Sequence, residues 1–240
     1  MELNKNIKLN FVFWGTPDVA SETLEILKQA GYLPSLIVTS PDKPQGRKMI
    51  VTPPPAKVWA VENNIPYLQP EKLDEAFALK LSVLNFELSI VVAYGKIIPE
   101  KILNMPEFGS INIHYSLLPK YRGASPVESA ILNGDTETGI TIQKMVFKMD
   151  AGAIVVQEKV AILPNEKAAE LRTRLIKIGG ELLVKTLPDF MAGEITEVAQ
   201  TESEATHCGK IKKEDGLIDL NADPVKNYNK FRAYATWPRT

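Results

Sequence analysis

Apolar positions along the first half of the chain switch between two periods. Residues 7–14 form a short β-prone apolar run that stops at Gly15, Thr16, Pro17 and Asp18. Residues 19–30 then carry Val19, Leu24, Ile26 and Leu27 at helical spacing and end at Gly31. The alternation repeats. The pattern predicts a strand over 36–39, a helix over 56–63, a short strand over 66–68, a helix over 71–81, a buried strand over 88–93 and a strand over 110–114. Parallel strands joined by helices of this length need right-handed crossovers. The expected fold is therefore α/β, a mainly parallel twisted sheet flanked by helices. Beyond Gly139, residues 139–146 and 153–162 alternate like strands, 166–187 predict one long helix, and 196–200 a short strand. From Thr201 the chain reads as polar and irregular, up to a closing KFRAYATWPRT in which Phe231, Tyr234 and Trp237 need a surface to pack on.

Composition narrows the class. At 240 residues the chain suits one large domain, or one with a short appendage. Hydrophobic residues at 45% and charged residues at 24% are ordinary for a soluble globular protein. A net charge of −1 argues against a generally basic nucleic-acid coat but leaves room for a local basic patch. The single cysteine, Cys208, excludes an intrachain disulfide and a cysteine-built zinc site, and fits a reducing compartment. No apolar run approaches the roughly 20 residues of a membrane-spanning helix, and the N-terminus lacks a small-residue cleavage site. A soluble cytoplasmic protein is expected.

One stretch breaks the α/β rhythm. Residues 40–57 hold five of the 17 prolines, and Lys43, Arg47, Lys48 and Lys57 stand against the lone Asp42. A loop this long and cationic reads either as functional or as a solvated, proline-stiffened connector.

Candidate chemistry centres on INIHYSLLPKYRGASP. Asn112 and His114 lie two apart in a strand and so share a face, at the C-terminal end where open parallel sheets carry their binding crevice. Histidine donates to a developing oxyanion or moves protons near neutral pH, and an asparagine amide adds a fixed donor. A carbonyl-polarising pair stands beside a plainer reading, in which Asn112 makes a turn contact and His114 bonds backbone. A carboxylate would hold the imidazole tautomer and join a proton relay. Asp150, in KMDAGAIV, is the candidate, unless it serves only the Asp-Ala-Gly turn. FWGTPDVAS follows a strand and opens a helix, but it is neither a dinucleotide fingerprint nor a P-loop. The fold is thus Rossmann-like without a dinucleotide signature. H-E-x-x-H and G-x-S-x-G are absent, and His207 beside Cys208 reads as structural.

NIHYSLLPKYRGASP, then GDTETGITIQKM, then MDAGAIV resembles the folate-dependent formyltransferase family in order and spacing. FWGTPDVA, VTSPDKPQGRK with TPPPAK, VVAYGKIIP and TESEATHCGKI are similar to the branch that formylates methionyl initiator tRNA. The likeness runs from about residue 10 to residue 240. It implies formyl transfer from 10-formyltetrahydrofolate to the α-amine of the methionyl tRNA, without metal. By this resemblance Asn112 and protonated His114 stabilise the oxyanion of a tetrahedral adduct, and Asp150 positions His114 and a proton-carrying water. The resemblance further implies folate contacts from Tyr94, Gly95, Lys96, Ile97 and Ile98, and from Ser116, Leu117, Leu118 and Pro119. Lys43, Arg47 and Lys48 would contact tRNA. It makes residues 1–206 a catalytic domain and residues 207–240 the linker to a C-terminal tRNA-binding barrel that is lacking here, and a monomer is expected. The chain departs from the family at Tyr115, where a small residue is usual, and at Met49, Ile50 and Val51, which stand where lysines are expected. An amino-sugar nucleotide formyltransferase shares the Asn-His-Asp trio but would not need the basic loop. A binding module without catalysis would not need the trio.

Overall fold

The computed structural model describes residues 9–46 and 48–240. Its contacts divide the chain into two compact units. One is Met1–Asn112 with Lys144–Phe147 and Leu183–Glu194, and the other is Ile113–Gln143 with Lys148–Leu182 and Ile195–Thr240.

The first unit runs β1 (Phe11–Gly15), α1 (Asp18–Gln29), β2 (Leu36–Val38), β3 (Lys43–Gln45), β4 (Ile50–Thr52), α2 (Pro55–Glu62), β5 (Tyr67–Leu68), α3 (Glu75–Ser82), β6 (Leu88–Val92), α4 (Glu100–Leu103) and into β7 (Ser110–His114). β1 pairs in parallel with β2 and β6, β2 with β5, and β6 with β7. All residues of β1, β2 and β6 are buried, as expected of strands covered on both faces. Val12, Trp14, Val38, Phe77, Leu81 and Ile102 belong to one core cluster. The Trp14 indole N–H finds Ser89 Oγ at 3.2 Å, so this large buried ring leaves no orphan donor.

The second unit takes the end of β7, then β8 (Arg122–Gly123), α5 (Pro126–Leu132), β9 (Glu137–Lys144) as far as Gln143, β10 (Ile154–Ala161), α6 (Ala168–Met191) as far as Leu182, β11 (His207–Cys208) and α7 (Pro224–Tyr234). β9 and β10 form an antiparallel hairpin with an irregularity between Ile154 and Val156. β8 and β11 pair in parallel as a separate two-stranded sheet. The main sheet has seven strands in the order β10-β9-β7-β6-β1-β2-β5, the mainly parallel α/β architecture the sequence predicts.

Several expectations need correction. The strand predicted from residue 7 is observed from Phe11, and residues 7 and 8 lie outside the described residues. α3 begins at Glu75 because the Asp74 carboxylate accepts the Phe77 N–H at 3.0 Å and caps the helix there. Residues 40–57 are not a plain loop: β3 and β4 pair as an antiparallel hairpin, and Pro55 opens α2. No strand spans 196–200; Val198 makes only a single bridge to Ile154. The segment after Thr201 is not irregular throughout, since it contains β11 and α7. α7 starts at Pro224 under the Asp223 cap and packs against α5, burying Ala233 and Tyr234, while Phe231 and Trp237 keep substantial exposure. Among the described residues no helix is long and apolar enough to cross a membrane.

Candidate active site

β7 delivers His114 at its last position, buried to 5% exposure, with Asn112 half-buried two residues before it. His114 Nε2 lies 2.8 Å from the Tyr121 carbonyl oxygen. A carbonyl only accepts, so the neutral ring carries its proton on Nε2. Nδ1 then faces Asp150 Oδ2 at 3.7 Å. That distance is too long for a hydrogen bond, and a proton placed on Nδ1 would lie toward the carboxylate. His114 thus bonds backbone through one nitrogen, as the plainer reading has it, and faces a carboxylate through the other.

Asp150 occupies the turn that its plainer reading expects. Its φ of +50° puts it in the left-handed region of a turn. Its carboxylate is nonetheless fixed, with Oδ2 accepting the Gly123 N–H at 2.8 Å and Oδ1 accepting Gln143 Nε2 at 2.9 Å. Sequence reasoning missed the segment that organises this pair. Tyr121 (φ +61°) supplies the carbonyl to His114 and Gly123 (φ +125°) the N–H to Asp150. A Cβ at Gly123 would lie 2.0 Å from the Cys208 carbonyl oxygen, so that position requires glycine. The YRG of the resemblance motif was the available signal for this segment. Gln143 and Gln200 carried none.

The Tyr121 side chain points to different partners, donating to Asp135 at 2.7 Å and accepting from Asn133 at 3.0 Å. Burial and the Asp135 bond push its phenol up to about 12. Burial also pushes the Cys208 thiol up, and it donates a long 3.4 Å contact to the Tyr121 carbonyl. His207 sits exposed in β11 and pairs through its backbone with Arg122, the structural role expected of it.

In the first unit, the residues expected to meet folate follow β6. Tyr94 and Ile98 are core, Gly95 and Ile97 are exposed, and the Lys96 ammonium donates to the Pro70 and Glu71 carbonyls. The Tyr94 hydroxyl is buried without a hydrogen-bond partner, and burial pushes it up to about 12. In the second unit, Thr141 Oγ1 ties the other segment by donating to Ser116 O and accepting from the Leu118 N–H. Ser116 and Leu118 are buried, while Leu117 and Pro119 are partly open. Of the residues expected to meet tRNA, Lys43 and Lys48 are exposed on the β3–β4 hairpin, and Arg47 lies outside the described residues. Lys57 is committed to Asp42 at 2.7 Å, whose carboxyl is held low by Gln69 and Lys57. Met49, Ile50 and Val51 give the hairpin an exposed apolar flank.

Residues 8–187 match the profile of a formyl transferase family. The chain is 42% identical over 233 residues to the methionyl-tRNA formyltransferase of Caldicellulosiruptor saccharolyticus, covering 96% of this chain and 74% of that one. It is 44% identical to the enzyme of that name from Listeria innocua, covering 95% and 73%. In fold it resembles an N-formyltransferase from Helicobacter canadensis solved with folinic acid and dTDP-3-aminofucose. That match has a TM-score of 0.71 at 18% identity and covers 94% of this chain and 80% of that one.

Proposed function

This chain belongs to the formyl transferase family, with the methionyl-tRNA formyltransferases, and we propose that it formylates the α-amine of methionyl initiator tRNA using 10-formyltetrahydrofolate. The observation that carries the substrate choice is the 42% and 44% identity over nearly the whole chain to enzymes of that name. The likeness to the N-formyltransferase solved with dTDP-3-aminofucose reaches only 18% identity and speaks for the fold alone.

The co-substrate supplies an activated formyl group; the chain's own residues have to polarise it and move protons. Asn112 and His114 share one face of β7, and the amide and ring would donate to the oxygen on which charge builds. In the observed conformation both ring nitrogens face protein, so a donating role requires one to exchange its acceptor for substrate. The Nδ1 side is the one free to do so, because its 3.7 Å separation from Asp150 is not a hydrogen bond. Asp150, held by Gly123 and Gln143, would stabilise a proton on Nδ1 and relay the proton shed by the amine to the folate nitrogen, N10, that leaves as its bond to the formyl carbon breaks. The amine must be neutral to react, and a free α-amino group titrates near ~7.7–8.0.

Each of the two units, taken by itself, offers apolar surface that would suit folate. Ile97 is exposed beside Gly95, Leu117 and Pro119 are partly open, and the Lys96 charge is turned onto backbone carbonyls. The Lys43 and Lys48 charges, with Arg47 between the two strands in sequence, would meet tRNA phosphates. We place the reaction in the cytoplasm and expect a monomer. Transfer of labelled formyl to charged initiator tRNA, run beside an amino-sugar nucleotide, separates the two acceptor readings. Preferential labelling of the sugar would overturn this one.

A further inference from the structure

One short segment grips both members of the candidate pair. The Tyr121 carbonyl takes the His114 Nε2–H, and the Gly123 N–H holds Asp150 Oδ2. Between them Arg122 is only 1% exposed. Burying a guanidinium is costly unless its N–H groups find acceptors. Here Nε and Nη2 both donate to Gln200 Oε1, at 3.0 and 2.9 Å, and Nη1 donates to Glu202 at 2.9 Å. The amide nitrogen of the same Gln200 donates to the carbonyls of Asp150 at 2.9 Å and Gly152 at 2.7 Å. Gln200 thus ties the residue between the two grips to the backbone of the Asp150 turn. That turn needs a tether, because a non-glycine residue at φ +50° persists only where its surroundings fix it. Gln200 and Glu202 lie beyond residues 8–187, the span matched by the family profile.

We infer that Arg122 and Gln200 are positioning residues for formyl transfer: their clamp sets the distance and direction of the Asp150 carboxylate relative to His114. The inference rests on the reading of that pair as reacting groups. Neither side chain needs to touch substrate. A displacement of about 1 Å at a reacting group is enough to cost roughly 10²-fold in rate.

Gln200→Glu separates the two halves of the clamp. The carboxylate still accepts from Arg122, now as an ion pair, but it replaces the amide donor with an oxygen that repels the Asp150 and Gly152 carbonyls. The expected result is a folded protein with unchanged formylfolate-analogue binding and tRNA KM, and kcat lower by roughly 10–100-fold. Asp150→Asn and the double variant complete the cycle. If the clamp acts through Asp150, adding Gln200→Glu to Asp150→Asn lowers kcat by no more than about twofold further. Full multiplication of the two losses, or wild-type kcat in Gln200→Glu, overturns the inference. Should Gln200→Glu fail to fold, Arg122→Lys, which keeps the charge and loses the fork, is read in the same cycle. Wild-type turnover in Asp150→Asn alone would instead remove the reading of the pair itself. A slow Asp150→Asn with multiplicative losses removes only the clamp.

Discussion

The Tyr121–Gly123 segment grips both His114 and Asp150, and their substitutions should separate binding from turnover. His114→Ala removes one charge-stabilising group and should lower kcat by about 10²–10³-fold. Calorimetry should show a formylfolate analogue binding almost as before, and near-normal turnover would contradict the assignment. Tyr94 yields a different prediction, because its buried hydroxyl has no partner. Removing an unsatisfied buried polar group is neutral or stabilising, so Tyr94→Phe should keep or raise Tm at pH 7. The folded phenol lies at about 12, above its ordinary 10, so the fold favours its neutral form. That contribution is complete below about pH 10 and is lost as pH rises toward 12. The phenylalanine variant should therefore lose less Tm than wild type between pH 9 and about 11, and an equal loss would refute this. At this scale the sequence exposes Asn112 and His114, because strand period alone puts them on one face. It hides Gln143 and Gln200, whose partners lie 7 and 78 residues away and depend on how turns and strands meet.

β1, β2, β6, β7, α1 and α2 were legible because their apolar positions end at clear breaks, whereas the four-residue α4 was not read, and β7 is observed over the residues read from the sequence. The β3–β4 hairpin was not, since its strands have three exposed residues each or nearly so and no buried face to reveal a period. α7 was missed for a related reason: its sequence is polar, and its buried stripe is seen only once α5 is beside it. Two predictions belong here. Gly139 in β9 leaves no room for a side chain, as a Cβ would lie 2.2 Å from the Glu158 carbonyl oxygen and 2.5 Å from Leu117 Cδ2. Gly139→Ala should cost about 1–3 kcal/mol in urea unfolding and disturb the Leu117 segment, and an unchanged midpoint would contradict this packing. In the hairpin, replacing Lys43 and Lys48 by alanine should raise the tRNA KM and leave folate binding intact. The salt dependence of tRNA binding should become shallower by at most about two units of slope. Identical slopes would reduce the hairpin to a solvated connector.

Across the whole chain, a near-neutral protein with net charge −1 recognises a polyanion only through local surfaces. Under the proposed function the hairpin would meet tRNA, while the end of β7 and the Asp150 turn would do the chemistry. The α/β class followed from alternating periods, and Asn112, His114 and Asp150 became candidates from motif order. The brace supplied by residues 200–208 did not follow, because nothing in a polar stretch announces that it will pair with the YRG segment. The most direct measurement is single-turnover transfer of labelled formyl from 10-formyltetrahydrofolate to methionyl initiator tRNA by the wild type and Asp150→Asn. The account predicts label on the methionyl amine with wild type, and transfer slower by about 10²-fold or more with the variant at unchanged folate affinity. Equal rates for the two proteins, or label on an amino-sugar nucleotide in preference to tRNA, would contradict it.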